Sequence, residues 1–339
     1  MMRQASILSI LLLLAVASIL FALGIGQYPL STSDIMATLI KCLDVASSCT
    51  DAGVEEQIIW QLRLPRILIA FITGAGLAIT GVILQTLTRN PLADPYLFGI
   101  SSGASLGAVT ALAFGAIGLG LSLAAMLGSL LSVLLMVVLS GGTARQVQFL
   151  VLAGVAISFM LSSLTSLVLY FSTPNVVAAL LFWMMGSFDH IGWQDLTIPM
   201  ITLVICLAIF YTFARQLDAM LAGDKVARSL GIATQKLRLA LLIIAAILTS
   251  VLVSKVGGIG FVGLMIPHIC RFFTGHQLSA LLPVAFLVGG IFMVWVDAIS
   301  RTILTDQHLP IGIVTAAIGS LFFIILLKHY QSKRRQEGI

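Results

Sequence analysis

The sequence predicts an all-α, polytopic membrane protein with ten transmembrane helices, and three observations carry that prediction. Hydrophobic residues make up 59% of the 339 and charged residues only 9%, whereas a soluble domain carries about 25% charge. Mean hydropathy is +1.12. The apolar residues also fall into runs near the length that crosses a bilayer as a helix, about 20 residues, with short polar loops between them. Residues 1–339 therefore read as a single transmembrane domain, with no room for a separate soluble one.

The first predicted span is 7–26. Arg3 precedes an apolar run containing Ala15-Val16-Ala17, as in a secretion signal. The run continues to Gly24, too long for a signal core, so an uncleaved first helix is expected. The polar loop 27–62 follows. Its Cys42 and Cys49 are a candidate disulfide if the loop faces an oxidising compartment, and two free thiols otherwise. The second span, 64–87, begins among Arg63, Pro65 and Arg66 and ends at the turn Asn90-Pro91-Leu92-Ala93-Asp94-Pro95. The third, 97–117, carries Gly99, Gly103 and Gly107 on one face, a spacing that lets two helix backbones approach closely in lipid.

Spans four and five are 119–139 and 149–171. Within the next outer loop, 172–195, the apolar stretch 176–186 is too short to cross and reads as interfacial or re-entrant. Span six is 196–213. The inner loop 214–236 reads as two short helices with a turn. Met220, Leu221, Val226 and Leu230 give an apolar face, Asp224, Lys225 and Arg228 a charged one, and Gly223 and Gly231 mark breaks. Such a loop is either a surface linker or a docking element for a cytoplasmic motor. The last spans are 238–253, 259–273, 280–299 and 310–328. The run 259–273 is short and holds Pro267 and His268, and a broken helix of that kind is tolerated only where protein or a water-filled cavity covers it.

Lys and Arg set the orientation, because cytoplasmic loops carry their excess. With the N-terminus inside, Lys41, Arg63, Arg66, Lys255 and Arg301 alone lie outside, five of the 18. Both termini are then expected in the cytoplasm. Lys333-Arg334-Arg335 reads as a stop signal for the last helix.

Some chemistry is missing. No G-x-x-x-x-G-K-[ST] is present to cradle ATP phosphates, and neither H-E-x-x-H nor a Cys/His cluster at zinc spacing occurs. Cys206 and Cys270 lie in apolar spans as packing residues. A proton-coupled transporter is expected to hold a carboxylate near the midplane. Only Asp297 falls inside a predicted span, near its outer end, and Arg301 four residues on makes a simple i,i+4 pair the better account. The energy for transport is therefore expected from another chain.

Several stretches then converge. RLPR at 63–66, TGAGLAITGVILQTLTRNPLADPYLFGISSGASLG at 73–107, LAGVAIS at 152–158, FWMMGSF at 182–188, GGIGFVGLMIPHICR at 257–271 and LPIGIVTAAIGS at 309–320 together resemble the permease subunits of FecCD-type (type II) ABC importers for iron chelates, haem and cobalamin. DKVARSLGI at 224–232 is similar too. The resemblance implies a homodimer with a second copy around one central pathway in the bacterial inner membrane. It implies two cytoplasmic ATPase subunits, which carry the enzymatic activity, and a periplasmic or lipid-anchored binding protein. No cofactor, resident metal or nucleic acid is implied.

By the same resemblance, Arg63, Arg66 and Arg301 dock the binding protein; snorkelling at a span end is the alternative for the first two. Asp224, Lys225, Val226, Ala227, Arg228, Ser229, Leu230 and Gly231 couple to the ATPase. Asn90, Pro91 and Leu92, with Val147 and Gln148, match the cytoplasmic gate, although Val147 and Gln148 depart from the small hydroxyl residues of cobalamin permeases. Ser158, Ser162, Thr165, Thr315 and Ser320 are the expected pathway lining, or else hydroxyls bonded back to their own helices. His190 and His308 read as surface histidines rather than haem ligands. The cargo is expected to be a ferric siderophore or haem, with cobalamin or molybdate as other members of the class. An ion-coupled secondary transporter is the alternative reading.

Overall fold

The computed structural model describes residues 2–26, 28, 30–44, 53–140, 147–304 and 307–336, and no strand occurs among them. In chain order the helices are α1 (Met2–Gly24), α2 (Thr32–Asp44), α3 (Val54–Gln57), a π turn (Ile58–Arg63), α4 (Leu64–Thr88), a 3-10 turn (Pro95–Phe98), α5 (Ile100–Ala113), α6 (Leu119–Leu139) and α7 (Val147–Tyr170). They continue as α8 (Pro174–Met184), α9 (Trp193–Thr212), α10 (Ala214–Leu221), α11 (Asp224–Ser229), α12 (Thr234–Val256), α13 (Val262–Thr274), α14 (Leu278–Thr302) and α15 (Ile311–Gln336). Among the described residues eight helices are long and apolar enough to cross a membrane. The third and eighth predicted spans are instead occupied by α5, with 14 residues, and α13, with 13.

The core sits on α4, where all residues but Leu68, Phe71 and Thr88 are buried. Lipid is as apolar as leucine, so close backbone contact and hydrogen bonding, rather than hydrophobicity, select which helices meet. Glycines on α4 permit that contact. A Cβ on Gly74 would stand 2.1 Å from Gly289 O on α14, and one on Gly81 would stand 1.9 Å from Gly263 O on α13. The glycines of α5 pack in the same way against α6. A Cβ would fall 2.3 Å from Gly128 O at Gly103 and 2.0 Å from Ala124 O at Gly107, while Gly99 sits at φ +75° beside Ser132 and Ser158.

Two places depart from the predicted spans for a common reason. The third span does not start as a helix at residue 97. Asp94 accepts from Tyr96 N, Pro95–Phe98 forms a 3-10 turn, and Gly99 at positive φ redirects the chain into α5. The eighth span unwinds over 257–261 before α13 begins. Each break leaves backbone groups without helical partners, and in a membrane these must be satisfied internally. The two breaks satisfy each other: Tyr96 Oη donates to Ile259 O at 3.0 Å and accepts from Ile259 N at 2.8 Å. Nearby, Ser187 N donates to Val256 O at 2.9 Å, Ile311 N to Gly186 O at 3.0 Å and Gly312 N to Met185 O at 2.8 Å. The stretch 176–186, expected to be interfacial or re-entrant, is α8, and its end is fixed by these bonds.

Loop 27–62 is more structured than its polarity suggested. It contains α2, and from Val54 the helix runs without a break into α4, 35 residues in all. The inner loop 214–236 contains two short helices, α10 and α11, with Gly223 at φ 128° between them and Gly231 at φ 79° after them.

Candidate functional site

At the end of the molecule where α4 begins, three guanidiniums are drawn together under the surface. Arg63, Arg66 and Arg301 are 7%, 7% and 5% exposed. Arg63 donates to Leu23 O and Tyr28 O, both at 2.6 Å, tying the π turn to the end of α1. Arg301 donates to Ile25 O at 2.6 Å and Ala22 O at 3.2 Å. Arg66 donates from Nε to Asp297 Oδ1 at 2.7 Å, and from Nη1 to Asp189.

The Asp297–Arg301 pair expected from the sequence is present but is only part of the contact. Asp297 is fully buried and shared. Arg301 Nε stands 3.0 Å from Asp297 Oδ2, near enough for an ion pair but not aligned as a hydrogen bond. The stronger geometry comes from Arg66, 231 residues away in sequence. His308, expected as a plain surface residue, joins the same network, its Nδ1 lying 2.6 Å from Asp189 Oδ1. Burial alone would raise the Asp189 carboxyl, but Arg66, Ser187 and His308 outweigh it and hold the group down at about 2. His190 is exposed. Cys42 is buried and disulfide-bonded, and Cys49 lies outside the described residues.

The opposite end is built on α11. Asp224 opens that helix and accepts from Arg238 Nη2 at 2.8 Å at the start of α12, and also pairs with Arg89 at the end of α4. Arg89 has φ 49°, the left-handed cap that ends α4, and its Nε donates to Met220 O on α10 at 3.0 Å. Burial pushes the Asp224 carboxyl up, yet Arg238 and Arg89 outweigh it, so the net shift is downward. Asp218 on α10 accepts from Leu278 N at 2.9 Å, which anchors α10 to the start of α14; burial raises its carboxyl. Ala227 is buried, whereas Val226 and Leu230 are 47% and 67% exposed. Lys225, Arg228, Ser229 and Gly231 are exposed beside them. A solvent-facing apolar and basic edge is thus carried on a short helix that Asp224 ties to Arg89 at the end of α4 and to Arg238 on α12.

The remaining predicted residues fall as follows. Asn90 Oδ1 accepts from Leu92 N at 3.0 Å, closing the turn that holds Pro91, and Leu92 is 57% exposed. Val147 begins α7; the side chains of Val147 and Gln148 are outside the described set. Ser158, Thr165, Thr315 and Ser320 each donate to a carbonyl of their own helix. Ser162 instead reaches across to Ser102 Oγ at 3.2 Å. Thr165 and Thr315 are buried, and Ser162 and Ser320 are exposed. Sequence reasoning missed Tyr96, Asp189 and Gln85. The signal for Tyr96 was a lone phenol beside a Pro in an otherwise apolar re-entry, where a buried hydroxyl needs a partner.

Comparison with known proteins places this geometry in context. The FecCD transport family matches residues 12–329. The molybdate import permease MolB of Haemophilus influenzae is 36% identical over 326 residues, covering 96% of this chain and 95% of that protein. The cobalamin import permease BtuC of Halobacterium salinarum is 36% identical over 281 residues, covering 81% and 75%. A solved metal-chelate type ABC transporter in an inward-facing conformation aligns with TM-score 0.84 at 34% identity, covering 96% of this chain and 99% of that one.

Proposed function

Because the chain belongs to the FecCD transport family, we propose that it is the membrane-spanning permease subunit of an ATP-driven importer in the bacterial inner membrane, with both termini cytoplasmic. Relatives named for molybdate and for cobalamin are each 36% identical, over 96% and 81% of this chain. The cargo is therefore taken as a member of the metal-chelate, cobalamin and molybdate class, and a ferric siderophore or haem is the first to test. Permeases of this family are not enzymes, and ATP is hydrolysed on separate subunits.

One observation carries the choice of an externally driven conduit over an ion-coupled carrier. Asp297, a carboxylate in the last turns of α14, is fully buried and lies between Arg66 and Arg301. A proton relay needs a carboxylate that can release its charge to a water path, and two adjacent guanidiniums oppose that.

The roles of the two ends follow as part of this proposal. The residues from Asp224 to Gly231 form the edge that an ATPase pair grips, and the clamp through Arg89 and Arg238 transmits its rigid-body motion. At the other end, Arg63, Arg66 and Arg301 organise the rim where a binding protein docks. Asn90 to Leu92, Val147 and Gln148 form the gate. A second copy covers α7 and α15, whose candidate span windows are each only 22% buried, and the exposed hydroxyls of Ser162 and Ser320 line the passage between copies, whereas Thr165 and Thr315 are buried against their own helices and do not face it.

Reconstitution tests the reading. In vesicles, cargo should move only when ATPase, ATP and binding protein are all present; uptake driven by a proton gradient without them would overturn it.

A further inference from the structure

At the end of the molecule that carries α10 and α11, a cavity of about 660 Å³ opens between α4, α10, α13 and α14. Its lining is mixed: Arg89, Arg271, His268 and His276 are its basic residues, and Phe272 and Leu281 are among its apolar ones. Among the described residues no carboxylate lines it. The charge of Arg89 is answered by Asp224. Among the described residues Arg271 has no ion-pair partner; its Nη1 donates only to the neutral Gln85 Oε1, which aims the guanidinium. His268 Nε2 is buried and has no hydrogen-bond partner. His268 is held edge-on against Phe272 and Phe322, so the ring cannot turn freely to find one.

A half-buried guanidinium without a counter-charge, set in the wall of an open cavity, is an arrangement that an anion completes. The guanidinium fork suits a planar or tetrahedral oxyanion bound through two oxygens. Phe272 and Phe273, at the end of α13, are 71% and 68% exposed. Basic pockets between helices on the cytoplasmic side are a recurrent site for phosphate-bearing headgroups.

We infer that this cavity is a binding site for a phosphate group, held by Arg271 with His276 at the mouth. The phosphate is supplied by an anionic phospholipid or by the soluble inorganic ion. The inference takes only the sidedness of the site from the transport reading, and not the cargo.

The test uses the purified full-length chain in dodecyl maltoside, with thermal unfolding and native mass spectrometry as readouts. Phosphatidylglycerol is titrated against a phosphatidylcholine control, and sodium phosphate against sodium chloride at matched ionic strength. The expected result is saturable stabilisation by at least one of the two phosphate probes and by neither control. Stabilisation by phosphatidylglycerol alone identifies the lipid as the source, whereas stabilisation by sodium phosphate identifies the soluble ion. Arg271→Gln should weaken binding at least tenfold. His276→Glu, on an exposed loop where folding is not at stake, should abolish it by placing a negative charge at the mouth. The inference is overturned if neither probe stabilises the protein, or if His276→Glu binds as tightly as the unaltered chain. Failure here leaves ATP-driven uptake untouched, so the two readings fail separately.

Discussion

Replacing Asp297 with Asn removes one negative charge and almost no volume, which isolates electrostatics from packing. Asp297 is fully buried, and both arginines that face it have side chains less than a tenth exposed. Deleting one partner of a buried ion pair costs about 3–5 kcal/mol, because the surviving charge is left desolvated. Here the survivors are not wholly abandoned. Arg66 keeps Asp189 and its contact with His308, and Arg301 keeps two carbonyl acceptors. The lower end, about 3 kcal/mol, is therefore expected. The measurement is denaturant unfolding in mixed micelles, with Lys41→Gln as a control. Lys41 and Glu56 form a bridge whose lysine is half exposed, so its loss should cost under about 1 kcal/mol. A double-mutant cycle with Arg66→Gln should return a coupling of about 1–3 kcal/mol. An Asp297→Asn protein within 1 kcal/mol of the unaltered one, or a cycle with no coupling, would show that the three groups do not act as one buried cluster.

Tyr96→Phe leaves Ile259 N and O without their partner where the two broken helices meet. It should lower stability by about 2 kcal/mol and raise hydrogen exchange locally at 257–261; unchanged exchange there would refute the latch. Gly81→Leu places carbon where Gly263 O lies 1.9 Å from the Cβ site, so folded yield should collapse, while the same change at Gly120, whose Cβ site has only an ordinary 3.4 Å contact, should be tolerated. Asp189 is held at about 2 against an ordinary 3.8, so its stabilisation is complete above about pH 4 and is lost as pH falls through about 2. Asp189→Asn should flatten that acid limb in a pH series of unfolding midpoints, and an unchanged limb would remove the ion pair from the account. Leu230→Asp puts a charge on the exposed edge of α11 and should release the ATPase subunits in detergent without changing the unfolding midpoint; full retention with normal turnover would count against the coupling role.

Much of the architecture was legible in the chain, because a bilayer imposes one strict rule on sequence. Backbone groups in hydrocarbon must bond within the segment, so a long apolar run has little choice but helix. That rule located the long spans from α4 to α15 and the anomaly at 259–273, where Pro267 and a short length already argued for a break, while the α10–α11 pair was legible from apolar spacing and the glycines at 223 and 231. The close-packing glycines of α5 were also readable, since small residues four apart share a face whatever they pack against. Polar loops are under no such rule. Hence α2 and the helical run-in from Val54 passed as loop, although α2 carries Asp34 at its first turn and Lys41 at its last, the charge order that favours a helix.

Partnership across the fold was decided only by the tertiary structure. Arg66 and Asp297 are 231 residues apart and Tyr96 and Ile259 163 apart, and nothing local to either residue names its mate. A sequence read four residues at a time finds Asp297–Arg301 and stops there. It also expects outer arginines at a surface, because an isolated charge prefers water. Packing α1, α4 and α14 together instead supplies carbonyls and a carboxylate at the right spacing, and that shared set of acceptors makes burial of three guanidiniums tolerable. Composition thus determined that the chain is a multi-pass helical membrane protein; the crossing of helices brought together by glycine determined which charges meet.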